Sequence, residues 1–179
     1  MAFDFKKIYK EEAMPKLMKE TGYKNIMSVP KIEKVSINIG TGSIKDEEQK
    51  KRMESNLTLI IGQKLSTRPA KKSIASFKTR KGMPLGFGAT LRGKRMYDFL
   101  NKMVFVALPR RRDFRGLDIN SVDESGNLTV GFKDNLVFPE MAGQDIKHSF
   151  GFSATIVTTA KNKKEGVEFF KAMKFPFSK

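Results

Sequence analysis

Between Gly88 and Lys94 the chain has a glycine, four residues, then Gly93-Lys94, the skeleton of a loop that wraps a nucleotide phosphate. Such a loop needs a hydroxyl after its lysine to hold magnesium, and Arg95 stands there instead. Apolar alternation also runs on through Ala89 and Leu91, so the backbone is predicted to stay extended where a phosphate loop would curl. Gly86-Phe87-Gly88 lacks the third glycine of a dinucleotide fingerprint, with Leu91 in its place. His148, the one histidine, has only Asp145 near it as a second ligand and reads as an ordinary surface or packing residue. Asp118, Asp123 and Glu124 could form an acid and base pair, but they surround a turn, where carboxylates mostly bond backbone or water. The chain has no cysteine, which removes disulfides, thiolate nucleophiles and cysteine zinc sites. The expectation is a protein that is not an enzyme and carries no cofactor and no metal.

Charge points elsewhere. Lys and Arg number 35 against 19 Asp and Glu, a net charge of +16, which repels itself unless a polyanion is near. Between Ser55 and Tyr97 there is no acid at all, while Lys64, Arg68, Lys71, Lys72, Lys78, Arg80, Lys81, Arg92, Lys94 and Arg95 all fall there. A solvated surface normally mixes both signs, so this stretch is read as the footprint of a nucleic acid. An anionic membrane is the weaker reading, because no segment approaches the roughly 20 apolar residues of a spanning helix. Lys6, Lys7, Lys10, Glu11 and Glu12 interrupt any apolar signal region near the amino end, so a cytoplasmic protein with no membrane partner is expected. Phe77 and Phe114 sit in basic loop sequence and are left between loop packing and RNA contact. The other phenylalanines fall mostly at strand or helix periodicity and read as core.

These residues need elements to hold them. Phe5, Ile8, Tyr9, Met14, Leu17 and Met18 recur at helical spacing within 3–23, with Pro15 predicted to break or restart the helix. Val35, Ile37 and Ile39 alternate with Lys34, Ser36 and Asn38, giving a strand with one polar face. A helix over 46–61 has acids in its first turn and Gly62 to end it. Leu85, Phe87, Ala89 and Leu91 alternate with Gly86, Gly88, Thr90 and Arg92, a strand whose bare face suits close backbone approach. Met96, Phe99, Leu100, Met103 and Val104 trace a helix closed by Pro109. Leu128, Val130 and Phe132 follow the turn Ser125-Gly126-Asn127 as half of a hairpin, and Phe150, Phe152, Ala154 and Ile156 mark a further strand. Asn162 can cap a last helix whose apolar side is Val167, Phe170 and Met173. With no regular βαβ repeat and no linker, the expectation is one α+β domain over 1–179. It is a mainly antiparallel sheet with helices packed on one side and basic protruding loops.

Gly62-Gln63-Lys64 continuing through Ala70-Lys71-Lys72-Ser73 resembles the signature of the large-subunit ribosomal protein five family, in its bacterial form. Agreement continues in order at Phe77 to Pro84, Thr90 to Gly93, Leu108 to Gly116, Phe138-Pro139-Glu140, Thr158-Thr159-Ala160 and Phe175-Pro176-Phe177. The chain departs from the family's usual residues at Ile61, Ser66, Arg68 and Pro69. The resemblance implies a ribosome-bound α+β protein that binds 5S rRNA and helps seat it in the central protuberance beside other proteins there. It further implies contacts with 23S rRNA, the P-site tRNA and a small-subunit head protein, and no homo-oligomer.

Carried over residue by residue, the family's 5S rRNA surface corresponds to Asn38, Gln63, Ser66, Thr67 and Thr90, with Lys64, Lys71, Lys72 and Arg92 as neighbouring cations. Phe77, Lys78, Thr79, Arg80, Lys81, Gly82 and Met83 resemble its tRNA-facing loop. Arg110, Arg111, Arg112 and Asp113, with Glu140 and Met141, resemble its bridge to the small subunit. Asn38 and Thr90 fall on polar strand faces by alternation alone. The rival classes are an RNA-dependent enzyme, which would need a nucleotide site, and a peripheral membrane protein, which would need a basic helix with a broad apolar face.

Overall fold

Val35, Ile37 and Ile39 point one way from their strand and Ser36 and Asn38 the other, and the fold is built on that division. The computed structural model describes residues 4–23, 25–44, 46–112, 114–143 and 149–178. Strands β1 (Ile32–Gly40), β2 (Ser66–Pro69), β3 (Pro84–Leu91), β4 (Leu128–Phe132) and β5 (Phe152–Thr158) form one sheet in the order β2-β3-β1-β5-β4. Every pairing is antiparallel. The predicted α+β architecture with an antiparallel sheet is the one observed.

Helices cover the apolar face. An amino-terminal rod is made of α1 (Phe5–Ile8), a π turn (Tyr9–Ala13) and α2 (Met14–Thr21). Of the two outcomes expected at Pro15, break or restart, the restart is the one observed: the proline stands in the first turn of α2 and the rod continues through it. The Met14 N–H bonds the Tyr9 carbonyl five residues back, and this wider turn lies just before the proline. A proline ring collides with the carbonyl four residues behind it, and the π spacing relieves that collision without ending the rod.

Helix α3 (Glu47–Ile61) starts on Asp46, whose carboxylate accepts the Glu48 N–H at 3.0 Å. It ends at Gly62, whose φ of 73° is the left-handed conformation that glycine adopts without strain. Helix α4 (Gly93–Lys102) runs into a second π turn (Met103–Ala107) before Pro109. Helix α5 (Lys163–Ala172) is capped by Asn162, which accepts the Glu165 N–H at 3.0 Å, while the Glu165 carboxylate reaches back to the Lys161 N–H at 2.7 Å. That reciprocal pair satisfies two donors that a helix start leaves open.

Between sheet and helices lies one apolar cluster. Ile37 and Leu91 of the sheet and Leu57, Ile60 and Leu100 of the helices are 0–1% exposed. Phe132, Phe138 and Phe152 meet in pairs with ring centroids 5.0 to 5.7 Å apart. Each buried phenylalanine contributes about 1.5–3 kcal/mol relative to exposure, so the phenylalanines read as core do supply it.

The hairpin expected at Ser125-Gly126-Asn127 is a minimal one: the Asp123 N–H donates to the Asn127 carbonyl at 2.9 Å and Val122 bridges Leu128, with no longer strand on the first side. The full partner of β4 is β5, reached by a long connection, because their inward residues Leu128, Val130 and Phe132 oppose Ile156, Ala154 and Phe152. The turn also docks on the end of β5, where Thr158 Oγ1 donates to the Gly126 carbonyl at 2.8 Å.

Candidate nucleic-acid interface

Directly opposed residues of an antiparallel sheet share a face, so the register defines the side that no helix covers. One row across it is Ser66, Gly88, Asn38, Ser153, Gly131. The next is Thr90, Ser36, Thr155, Thr129, and a shorter one is Arg68, Gly86, Gly40. Asn38 and Thr90 thus stand on adjacent strands of one exposed surface, as their alternation indicates. Ser66 joins them, its hydroxyl donating to the Gly88 carbonyl at 2.9 Å. Gln63 follows the left-handed end of α3 and its amide donates to the Thr90 carbonyl at 3.4 Å. Thr67 does not share this surface: it opposes Phe87, which faces the core, so the two-residue period turns it to the helix side of the edge strand.

The glycines of β3 are explained by close approach. A Cβ on Gly86 would lie 2.4 Å from the Ile39 carbonyl oxygen, and one on Gly88 would lie 2.9 Å from Nε of Arg68. The Arg68 guanidinium therefore rests over the sheet instead of reaching away from it, a placement that the charge pattern alone does not reveal. Ser36, already read on the polar face of its strand, belongs to this surface, and so do Ser153, Thr155 and Thr129, which were not singled out although they lie on the polar sides of visible alternations.

Cations border the surface. Lys64, Lys71 and Lys72 are exposed along β2 and the segment beyond it. Arg92 is engaged at 3.1 Å with Glu33, but both side chains are about half exposed, and a pair of that kind exchanges readily for a phosphate.

Beyond the sheet edge, β2 and β3 continue as a finger. Pro69 opposes Pro84, and since neither has an N–H the regular ladder stops there with a register shift. The root closes through Ala70 N–H to the Met83 carbonyl at 2.8 Å and Gly82 N–H to the Ala70 carbonyl at 3.0 Å. Further out, Ile74 and Thr79 exchange two backbone bonds of 3.1 and 3.2 Å around a tip of Ala75, Ser76, Phe77 and Lys78. Lys78 adopts a left-handed φ of 51° there. Phe77 is 75% exposed, which removes the loop-packing alternative for this residue. Lys78, Arg80 and Lys81 are exposed too, whereas Thr79 is turned to the Ile74 carbonyl and holds the tip. Phe114, the other residue left open, packs half-buried against the core and lines a basic cleft.

That cleft, ≈ 770 Å³ in volume, gathers Arg110, Arg111, Arg112 and Arg115 opposite Lys133, Leu136 and Val137. The remaining bridge candidates separate from the arginines. Glu140 is paired with Lys102, whose ammonium also donates to the Ile60 carbonyl at 2.9 Å. Met141 is 0% exposed, because the single 3-10 turn that Pro139 begins rotates it into the core. Asp113, Asp145 and His148 lie outside the described residues.

Among the described residues, no three His, Asp or Glu side chains converge as metal ligands, and no helix is long and apolar enough to cross a membrane. The phosphate-loop skeleton is occupied by strand, since β3 extends to Leu91 and α4 starts only at Gly93. Tyr9 and Tyr97 have their phenols pushed above the usual value, by burial first and then by Tyr97 on Tyr9 and by Asp4 on Tyr97. Both are on helical segments covering the core. What the open surface offers is hydrogen bonding from short side chains on a flat platform, with the Arg68 guanidinium lying over it and further cations along its edge.

The chain is similar to known proteins over nearly its whole length. Residues 25–80 match the family model described as ribosomal protein L5, and residues 84–177 match the model for the C-terminus of that ribosomal family. The "Large ribosomal subunit protein uL5" of Thermoanaerobacter sp. strain X514 is 49% identical over 174 residues, 96% of each chain. The protein of that name from Fusobacterium nucleatum is 47% identical over 98% of this chain and 96% of its own, and that from Cupriavidus taiwanensis 45% identical over 99% of both. On the strength of both family segments and of these full-length relatives, the chain belongs to the ribosomal protein L5 family.

Proposed function

We propose that the chain is a structural, RNA-binding constituent of the large ribosomal subunit that holds 5S rRNA on the open face of its sheet and helps attach it in the central protuberance. One observation carries the reading. A flat surface bearing Asn38, Gln63, Ser66 and Thr90 belongs in large part to a stretch from Ser55 to Tyr97 with no acid in it. Lysines and arginines neutralise phosphates there, and the amides and hydroxyls read ribose and base edges in a shallow minor groove. Charge supplies affinity, and shape supplies selectivity.

The same reading gives the finger with exposed Phe77, Lys78, Arg80 and Lys81 to the P-site tRNA. It gives the arginine cleft at Arg110, Arg111 and Arg112 to a small-subunit head protein. Contacts with 23S rRNA and neighbouring central protuberance proteins complete the set, and the whole chain acts as one unit, a single copy bound to the cytoplasmic ribosome. Sequencing the RNA that co-purifies with tagged protein at moderate salt tests it. Strong enrichment of 5S rRNA is expected, and recovery of mainly messenger RNA or DNA overturns the reading.

A further inference from the structure

The rows through Asn38 and Thr90 do not stop at β1. They continue over β5 and β4 as Ser153 and Gly131, and as Thr155 and Thr129. No long or charged side chain stands in either continuation. Thr129 and Thr155 still form a stabilising cross-strand pair, but their short side chains leave the surface low and open.

Gly131 sharpens the point. A Cβ there would meet nothing within 4 Å, and its backbone is not in the left-handed region, so neither packing nor conformation inside the chain calls for glycine. Glycine within a strand destabilises it relative to alanine, because more backbone freedom is lost on folding. Gly40, at the end of the row shared with Arg68, is in the same position, with open space where its Cβ would be. Gly86 and Gly88 are different, since both are required by close neighbours. Close approach of something outside the chain accounts for bare backbone where the interior does not need it.

Resting on the RNA-binding reading above, we infer that the β5–β4 half of the open face holds the second strand of the RNA helix whose first strand lies on Asn38 and Thr90. Ser153, Thr155 and Thr129 meet its ribose 2′-hydroxyls. Strands are spaced about 4.8 Å apart, so β3 to β4 spans roughly 14 Å, enough to reach across a wide, shallow groove instead of along one strand. The chemistry fits. Thr129 and Thr155 hold their hydroxyl oxygens 3.1 Å apart, so one hydrogen and several lone pairs of that pair remain for a group that both donates and accepts, which a ribose hydroxyl does and a phosphate does not. This half therefore distinguishes RNA from DNA without adding to the salt dependence.

The test measures binding of in-vitro transcribed 5S rRNA, and of the same RNA assembled with 2′-deoxy riboses in one helical strand at a time. Thr129→Val with Thr155→Val keeps the branched shape and removes both hydroxyls. This double variant is expected to bind the transcript on the order of 10-fold more weakly, with the salt slope unchanged and with no further loss on one of the deoxy-substituted strands. Gly131→Leu, whose side chain enters open space and leaves the fold intact, is expected to weaken binding at least as much by blocking approach. Unchanged binding by both variants while Asn38→Ala weakens it would overturn the inference, placing the edge of the footprint at β1. Unchanged binding by these and also by Asn38→Ala and Thr90→Val would remove the sheet from the interface, and the proposed function's use of it would fall as well.

Discussion

On the open face, Asn38 and Thr90 stand on strands whose other side carries Ile37, Ile39, Ala89 and Leu91, all buried. On the finger, every residue from 71 to 78 is exposed and the shape is kept by a few turn bonds, among them the Ser73 hydroxyl accepting the Lys81 N–H at 2.9 Å. The platform inherits its rigidity from the core, so the strands that carry its hydrogen-bonding groups are fixed before any ligand arrives. The finger has charge, reach and one bare aromatic ring, but no apolar root. A surface of the first kind is suited to discrimination by shape, and one of the second kind to adding attraction at a distance from the core.

The largest effect should appear in stability. Leu57→Ala, beneath the sheet, is expected to cost about 2–5 kcal/mol and to take RNA binding down with it. Joining residue 70 to 83 through an Asn-Gly turn, which removes the finger, should leave the thermal midpoint within a few degrees of the intact protein. Circular dichroism melts of the two variants decide this, and a finger deletion that melts the sheet would erase the distinction.

Next comes the division of ligands. Replacing Lys78, Arg80 and Lys81 by alanine is expected to leave 5S rRNA binding and subunit assembly nearly intact and to weaken P-site tRNA retention by about 5-fold for each cation removed from a phosphate. Filter binding of tRNA to reconstituted ribosomes reads it. If the triple variant fails to bind 5S rRNA, the finger is one more anchor for the same RNA.

Smaller again is the effect at the finger's root. Lys71→Ala with Lys72→Ala should flatten the dependence of log affinity on log salt by about two units or slightly less. A slope and an affinity that both stay put would leave these lysines in solvent. The smallest change belongs to Asn38→Ala, which should cost about 1 kcal/mol in discrimination between 5S rRNA and an unrelated structured RNA, with the slope preserved. Equal loss on both RNAs, or a lowered melting temperature, would make Asn38 structural.

Local signals were legible wherever a few consecutive residues decide the outcome. The alternation at Val35, Ile37 and Ile39, the stop at Gly62 and the cap at Asn162 all appear as the residues indicate. What could not be read is set by partners far away in sequence. Pro15 reads equally as a break or a restart until a π turn is available behind it, and the burial of Met141 follows only once Pro139 starts a turn against the core. Thr67 and Ser66 are neighbours of similar polarity, and only the pairing with Phe87 and Gly88 separates their faces. The candidate surface follows the same rule. Alternation finds Asn38 and Thr90 as polar positions, but their union with Ser153, Thr155 and Thr129 exists only in the register between strands.

Strand β1 lies between β3 and β5, and its bonds to the latter span most of the chain: the Ser153 hydroxyl meets the Asn38 carbonyl 115 residues away, and Lys31 meets Thr159 across 128. During synthesis this strand therefore emerges early, can meet β3 once residue 91 has followed, and waits with its other edge unpaired until nearly all of the chain has been made. Closing so long a loop precedes any reward from the contacts it makes, which places the protein among slow folders and exposes a template for wrong pairing in the interval. The segments 25–80 and 84–177 that match separate family models share this sheet, so a nascent chain that has made only the first of them holds a central strand with neither of its neighbours, since β3 and β5 both lie in the second. A polyanion able to occupy the basic segment of that unfinished chain would keep it soluble while it waits.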